Sequence, residues 1–192
     1  MPVEAELKAQ VRDVAAVRAA LAARAMQRGA VYRDTYFDAP NRGFMAEGRE
    51  LRLRSVETAD SVRNVLTFKA PAVDEASGSK PEHETTVADR AATHQILLGL
   101  GYEVAIEFTK NCENFEFTDS EYNMLATLVT VPELNGTFLE LETIVPSVTD
   151  VADALDAVRR VLVTLGITED DLTTELYTDA VARAKAASRI GH

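Results

Sequence analysis

The chain has 192 residues, 46% hydrophobic and 27% charged, with a formal net charge of −11. That length suits one substantial domain with a hydrophobic core, expected to span residues 1–192, and no run approaches the roughly 20 apolar residues of a membrane span. The acidic balance disfavours nucleic acid and anionic membrane as partners, because its field repels polyanions, but it leaves a small anionic ligand open.

The N-terminus, Met1-Pro2-Val3-Glu4, enters patterned sequence without a basic or apolar leader, so a cytoplasmic location is expected. Val3 to Val11 alternates as a strand does, and the Ala-rich run from about Val14 to Met26 reads as a helix carrying Val17 and Leu21. Tyr32 to Phe37 reads as a strand closed by the turn chemistry of Asp38-Ala39-Pro40-Asn41-Arg42-Gly43. Glu50–Val56 and Val62–Lys69 read as a hairpin about Thr58-Ala59-Asp60, and Pro71 to Pro81 reads as a mobile loop and candidate lid. Strand character returns at Glu82–Val87, then a helix from Asp89 to Leu100 ends at Gly101. Four more strands are expected at Glu103–Thr109, Glu113–Thr118, Met124–Val131 and Thr137–Val145. Ser147 or Thr149 can cap a helix carrying Val151, Leu155, Val158 and Leu162, which Gly166 ends, and a last helix covers about Thr178 to Ala187. The single cysteine, Cys112, excludes an internal disulfide framework and a cysteine-rich zinc site.

The informative feature is how charge falls on the strands. The two-residue period puts Glu4, Glu6 and Lys8 on one face, opposite Ala5 and Leu7. Arg52 and Arg54 lie opposite Leu51 and Leu53; Thr67 and Lys69 lie opposite Leu66 and Phe68; Glu140 and Glu142 lie opposite Leu139 and Leu141. For any one strand, a solvated face explains the pattern. Acids sorted onto some strands and bases onto others suggest instead a sheet closed on itself, with a charged lumen and helices on the apolar outside. Such a lumen needs a ligand to complete its charge balance, and a polyphosphate with Mg²⁺ or Mn²⁺ does so: carboxylates supply hard oxygen ligands, Arg and Lys supply donors to phosphate.

Glu4-Ala5-Glu6-Leu7-Lys8 resembles the Glu-x-Glu-x-Lys signature of the CYTH family, the triphosphate tunnel metalloenzymes. Further matches follow in the family's order: Arg33-Asp34-Thr35-Tyr36-Phe37-Asp38, Glu50-Leu51-Arg52-Leu53-Arg54, Leu66-Thr67-Phe68-Lys69-Ala70-Pro71, Lys110, and Gly136-Thr137-Phe138-Leu139-Glu140-Leu141-Glu142. The resemblance implies an α+β fold, a closed eight-stranded antiparallel β-barrel flanked by helices. It also implies Glu4, Glu6, Glu140 and Glu142 as ligands of Mg²⁺ or Mn²⁺, and Lys8, Arg52, Arg54, Lys69 and Lys110 as phosphate-binding, catalytic bases. Lys80 is a further substrate-binding candidate, and in the strand with Glu82 the resemblance makes Glu84 a secondary acidic candidate.

The chain departs from the family pattern at two places. Lys110-Asn111-Cys112 stands where Lys-x-Arg is usual, so one guanidinium is replaced by Cys112, for which a partly buried core role is expected. Thr130 stands where an acid often precedes the last motif. His83, His94 and His192 are assigned no chemistry, and Tyr177 resembles a family tyrosine or serves packing. The resemblance implies an enzyme acting on a small-molecule triphosphate, nominally an adenylyl cyclase making cyclic AMP and pyrophosphate from ATP. A triphosphatase is the alternative, and a non-catalytic polyphosphate-binding protein a further one. A homodimer is left open.

Overall fold

The computed structural model describes residues 2–74 and 77–190, so His192 and part of the expected lid, Glu75 and Ala76, lie outside the described residues. Eight strands, β1 (Val3–Val11), β2 (Gln27–Asp38), β3 (Glu50–Glu57), β4 (Val62–Lys69), β5 (Lys80–Val87), β6 (Glu103–Asp119), β7 (Tyr122–Thr130) and β8 (Thr137–Val145), close into a barrel. Its order is β1-β5-β4-β3-β2-β6-β7-β8, and every neighbouring pair is antiparallel. Among the described residues five helices flank it: α1 (Val14–Ala22), α2 (Gly43–Ala46), α3 (Arg90–Gly99), α4 (Val151–Thr164) and α5 (Tyr177–Ile190). None is long and apolar enough to cross a membrane.

The barrel is apolar outside and charged inside. Ala5 and Leu7 of β1, Leu139 and Leu141 of β8, and Ala126 and Leu128 of β7 are buried against Val17 and Leu21 of α1 and Ala154, Leu155, Val158 and Leu162 of α4. A second cluster packs Leu97 of α3 onto Phe37, Leu51 and Leu53. The helices therefore bury the faces that alternation leaves apolar, and the inward faces are free to carry charge. Helix boundaries follow local chemistry. Asp13 and Asp89 accept from Ala16 N and Ala92 N to cap α1 and α3. Gly101 and Gly166, with φ of 92° and 79°, take the left-handed conformation that ends a helix.

Several boundaries differ from expectation. The two strands expected at Glu103–Thr109 and Glu113–Thr118 are one 17-residue strand, β6. The polar Lys110-Asn111-Cys112 between them resembles a break, yet Lys110 faces a polar lumen and so continues the strand. The first helix stops at Ala22 rather than about Met26, and β2 begins at Gln27 rather than Tyr32. Asp38 begins α2, which the turn chemistry concealed, by accepting from Phe44 N and Met45 N. Neither Ser147 nor Thr149 caps α4 directly: Ser147 precedes a 3-10 turn over Val148–Asp150 and its hydroxyl bonds to Asp150.

One seam is thin. β1 pairs with β8 over nine residues but with β5 only at Val3↔Pro81 and Glu4↔Lys80. The segment leading into α5 covers the rest of that edge: Leu172 bridges Ala9, and Thr173 N donates to Lys8 O at 2.8 Å.

Candidate functional site

Register decides which side chains meet. Glu4 lies opposite Lys80, Glu6 opposite Glu142, Lys8 opposite Glu140, Arg52 opposite Thr67, Arg54 opposite Asp34, and Glu50 opposite Lys69. All share the inward phase, so Glu4, Glu6, Lys8, Arg52, Arg54, Lys69, Lys80, Lys110, Glu140 and Glu142 line one lumen of about 300 Å³. Every residue predicted for the site is there.

At one end the lumen is plugged. Tyr177 and Val181 of α5 pack with inward-facing Tyr36, Phe108, Cys112 and Val129. The Tyr177 ring lies 4.5 Å from Lys8 Nζ and 4.1 Å from Lys110 Nζ, so this tyrosine both packs and faces the charged interior. Cys112 belongs to the plug layer, and burial pushes its thiol up to about 12, which keeps it neutral and inert. Thr130 is exposed on the outer face of β7, so it is not a lumen position; its inward neighbours are Val129 and Val131. At the other end Arg63 and Glu84, 3.7 Å apart, are 56% and 39% exposed and mark the open mouth.

The charges inside are heavily cross-paired. Asp34, whose side chain is fully buried, grips Arg54 through bonds of 2.6 and 2.7 Å, and the guanidinium also lies 4.5 Å from the Tyr32 ring. Lys110 meets Glu140 at 3.0 Å, Lys80 meets Glu50 at 2.5 Å, and Lys69 bridges Glu4 and Glu82, the latter at 3.2 Å. Two cations are left without a carboxylate partner among the described residues. Arg52 donates only to Thr67 Oγ1 at 3.3 Å while its buried Nε has no hydrogen-bond partner. Lys8 donates to the backbone carbonyl of Glu175. A buried, unpartnered guanidinium N–H is costly unless something completes it, and an anion in the lumen would do so.

The acids divide. Glu4, Glu6 and Glu142 each bring an oxygen within 4.8 Å of the others, a cluster able to hold a metal ion. Glu140, predicted as a fourth ligand, is not in that cluster and pairs with Lys110. Burial and the neighbouring Glu4 and Glu140 push Glu6 up to about 7, and burial with Glu4 and Glu6 pushes Glu142 well up. Burial alone would raise Glu4 as well, but Lys69 and Arg52 outweigh it and hold that carboxyl low. Three crowded hard-oxygen donors, with two of them resisting ionisation in each other's field, fit a divalent cation.

Sequence reasoning assigned no role to Asp34, Glu50 or Tyr32. Glu50 shares β3 and its inward phase with Arg52 and Arg54, so the alternation itself marks it, whereas Asp34 lies on β2 and meets Arg54 only through strand pairing. Tyr32 is reached only through the pairing of β2 with β3 and β6.

Comparisons with known proteins agree with this architecture. A provisionally named adenylate cyclase of Methanocaldococcus jannaschii is 27% identical over 146 residues, covering 76% of this chain and 78% of that protein. The structure of a Pyrococcus horikoshii protein, PH1819, superposes with a TM-score of 0.82 at 24% identity, covering 94% of this chain and 98% of that one. A provisionally named adenylyl cyclase from Hippeastrum, described as revealing a dominant triphosphatase activity, superposes with a TM-score of 0.64 at 15% identity, over 95% and 96% of the two chains. Residues 3–177, from the first barrel strand to the tyrosine of the plug, match the CYTH domain, and the chain belongs to that family.

Proposed function

We propose that the chain is a metal-dependent enzyme acting on a triphosphate held in the barrel lumen, nominally an adenylyl cyclase converting ATP to cyclic AMP and pyrophosphate. The observation that carries this reading is Arg52, a buried guanidinium with an unpartnered Nε in a wall that also presents Arg54, Lys69, Lys80, Lys110 and Lys8. Arg52 and Lys8, which have no carboxylate partner among the described residues, can take phosphate oxygens directly. Arg54, Lys69 and Lys110 already have carboxylate partners, so they supply fixed, preorganised positive potential where charge develops on the transferring phosphoryl group. Glu4, Glu6 and Glu142 would hold Mg²⁺ or Mn²⁺, which supplies charge neutralisation on phosphate oxygens and acidifies an attacking hydroxyl. Glu140 acts here through Lys110, and the Tyr177 plug excludes water from the inner end.

Hydrolysis of ATP, thiamine triphosphate or inorganic triphosphate is the second reading, supported by the activity attributed to the Hippeastrum relative. The two differ in nucleophile: the ribose 3′-hydroxyl attacking the α-phosphorus expels pyrophosphate, whereas water attacking the terminal phosphorus displaces the diphosphate portion and releases that phosphorus as orthophosphate. In either case the chain works as one domain over residues 1–192, on a substrate of the cytoplasm. Incubation with each triphosphate under Mg²⁺ or Mn²⁺, with products resolved, tests the proposal. Cyclic AMP with pyrophosphate identifies the cyclase, and orthophosphate identifies the hydrolase. Binding without turnover would refute both in favour of a non-catalytic polyphosphate binder.

A further inference from the structure

At the inner end of the lumen two ammonium groups share one aromatic ring. Tyr177, the first residue of α5, lines the lumen, with Lys8 Nζ 4.5 Å and Lys110 Nζ 4.1 Å from its centroid. Phe108 at 6.4 Å and, edge-on, Phe138 at 5.4 Å pack on the ring, so packing sets the direction of its hydroxyl. Tyr177 is 8% exposed, and its buried Oη has no hydrogen-bond partner among the described residues. The acid beside it is Glu140, which pairs with Lys110 at 3.0 Å. Burial, and after it Glu140, holds the phenol well above its ordinary range, so the group stays protonated and available as a donor.

A ring that served packing alone would do as well without its hydroxyl, and a buried O–H left unpaired costs stability. Two like charges gathered at that ring also repel each other, and only Lys110 has a carboxylate partner, since Lys8 donates to a backbone carbonyl. One hydroxyl and two ammonium groups meeting at one place, with more donors than acceptors to fill them, are the complement of an oxyanion that carries several oxygens. A phosphoryl group has that form. A metal ion does not suit the place, because the two ammonium groups repel it and the cluster of Glu4, Glu6 and Glu142 begins one inward step away along β1 and β8.

We infer that Tyr177 is a substrate-binding residue, its phenol donating to an oxygen of the phosphoryl group seated deepest in the lumen, with Lys8 and Lys110 on the same group. The inference rests on the lumen taking a triphosphate, and adds a neutral donor to its basic wall. It gives α5 two tasks, since the residue that closes the inner end of the barrel also contacts the ligand.

The test compares the wild-type chain with Tyr177→Phe, which keeps the ring, its aromatic neighbours and both ammonium contacts and removes only the hydroxyl. Calorimetry measures binding of inorganic tripolyphosphate with Mg²⁺ and of Mg²⁺ alone, and a thermal melt without ligand or metal reports the fold. Tyr177→Phe should weaken tripolyphosphate about tenfold, the loss expected for one hydrogen bond to a charged group, and change Mg²⁺ alone less than about twofold. Its melting midpoint should be unchanged or higher, because the hydroxyl removed is unpaired in the empty lumen. Tripolyphosphate binding within about twofold of wild type would overturn the assignment and leave the triphosphate reading standing. A midpoint lowered by more than about 3 °C would overturn it too, since the hydroxyl would then have a partner in the protein. So would an equal loss for Mg²⁺ alone, which would mean that the hydroxyl acts through the carboxylates. Failure of the wild-type chain to bind tripolyphosphate would overturn the triphosphate reading, and the assignment of Tyr177 with it.

Discussion

Replacing Asp34 by Asn keeps the shape of the side chain and removes the charge that grips Arg54. The carboxyl is fully buried and the guanidinium 14% exposed, so solvent screens the pair little. Burial alone would raise Asp34, but the ionic and hydrogen-bonded contact with Arg54 wins and holds it at about 2 against an ordinary 3.8. That displacement, at about 1.4 kcal/mol for each pH unit, makes the ionised form worth about 2–3 kcal/mol to folding at neutral pH. Because the folded value lies below the unfolded one, the contribution is fully present above about pH 4 and disappears as pH falls through about 2. Urea unfolding of the wild type and Asp34→Asn should therefore show a gap of about 2–3 kcal/mol at pH 7, unchanged at pH 5 and reduced to roughly half at pH 3. Asp34→Ala should cost more, about 3–5 kcal/mol, since it leaves Arg54 buried with no partner in place. A gap under 1 kcal/mol at pH 7, or one that widens on acidification, would refute the buried-clamp argument.

Glu6→Gln or Glu142→Gln should lower turnover at least tenfold and recover part of it as Mg²⁺ or Mn²⁺ is raised; wild-type turnover at every metal concentration would rule out the carboxylate cluster as the metal site. Arg52→Ala should depress kcat/KM by about a hundredfold with no recovery on adding metal, and a metal-rescued variant would move Arg52 out of the phosphate set. Cys112 should resist iodoacetamide at pH 8 in the native chain and react promptly in urea, so stoichiometric native labelling would contradict its burial in the plug. Leu141→Ala, which empties a fully buried position between the barrel and α4, should cost about 2–5 kcal/mol by denaturant titration; a change below 1 kcal/mol would mean that the helix is not packed there.

The alternation was legible because a tunnel and a solvated sheet share the two-residue period, and only the sorting of charge separates them. Arg52, Arg54, Glu140 and Glu142 carried that sorting in short stretches of sequence. Long-range pairing was not legible. Nothing local shows that β2 lies between β3 and β6, so the Asp34 clamp on Arg54 and the Tyr32 ring over it emerge only from the closed barrel. The same limit explains Glu140. Its spacing from Glu142 points to a fourth metal ligand, and only the closed barrel shows that Lys110 lies 3.0 Å from its carboxylate. The strands expected on either side of Lys110-Asn111-Cys112 are continuous, because Lys110 points into a charged lumen that a strand can line.

The thin seam between β1 and β5 bears on how the chain can fold. The first strand finds its main partner in β8, far along the sequence, and touches β5 at only two positions, so it gains little from the strands made soon after it. Until β8 arrives, Glu4, Glu6 and Lys8 sit on a strand with open edges and remain hydrated. Docking β8 and then laying the 172–175 segment along Lys8 and Ala9 strips water from acids and bases together, late in assembly. Placing this charged strand at the last closure delays the desolvation penalty until opposite charges are already in register to offset it. It also leaves the barrel with a natural point of opening, where two ladder pairs and a short stretch of chain, rather than a full strand, hold the wall shut.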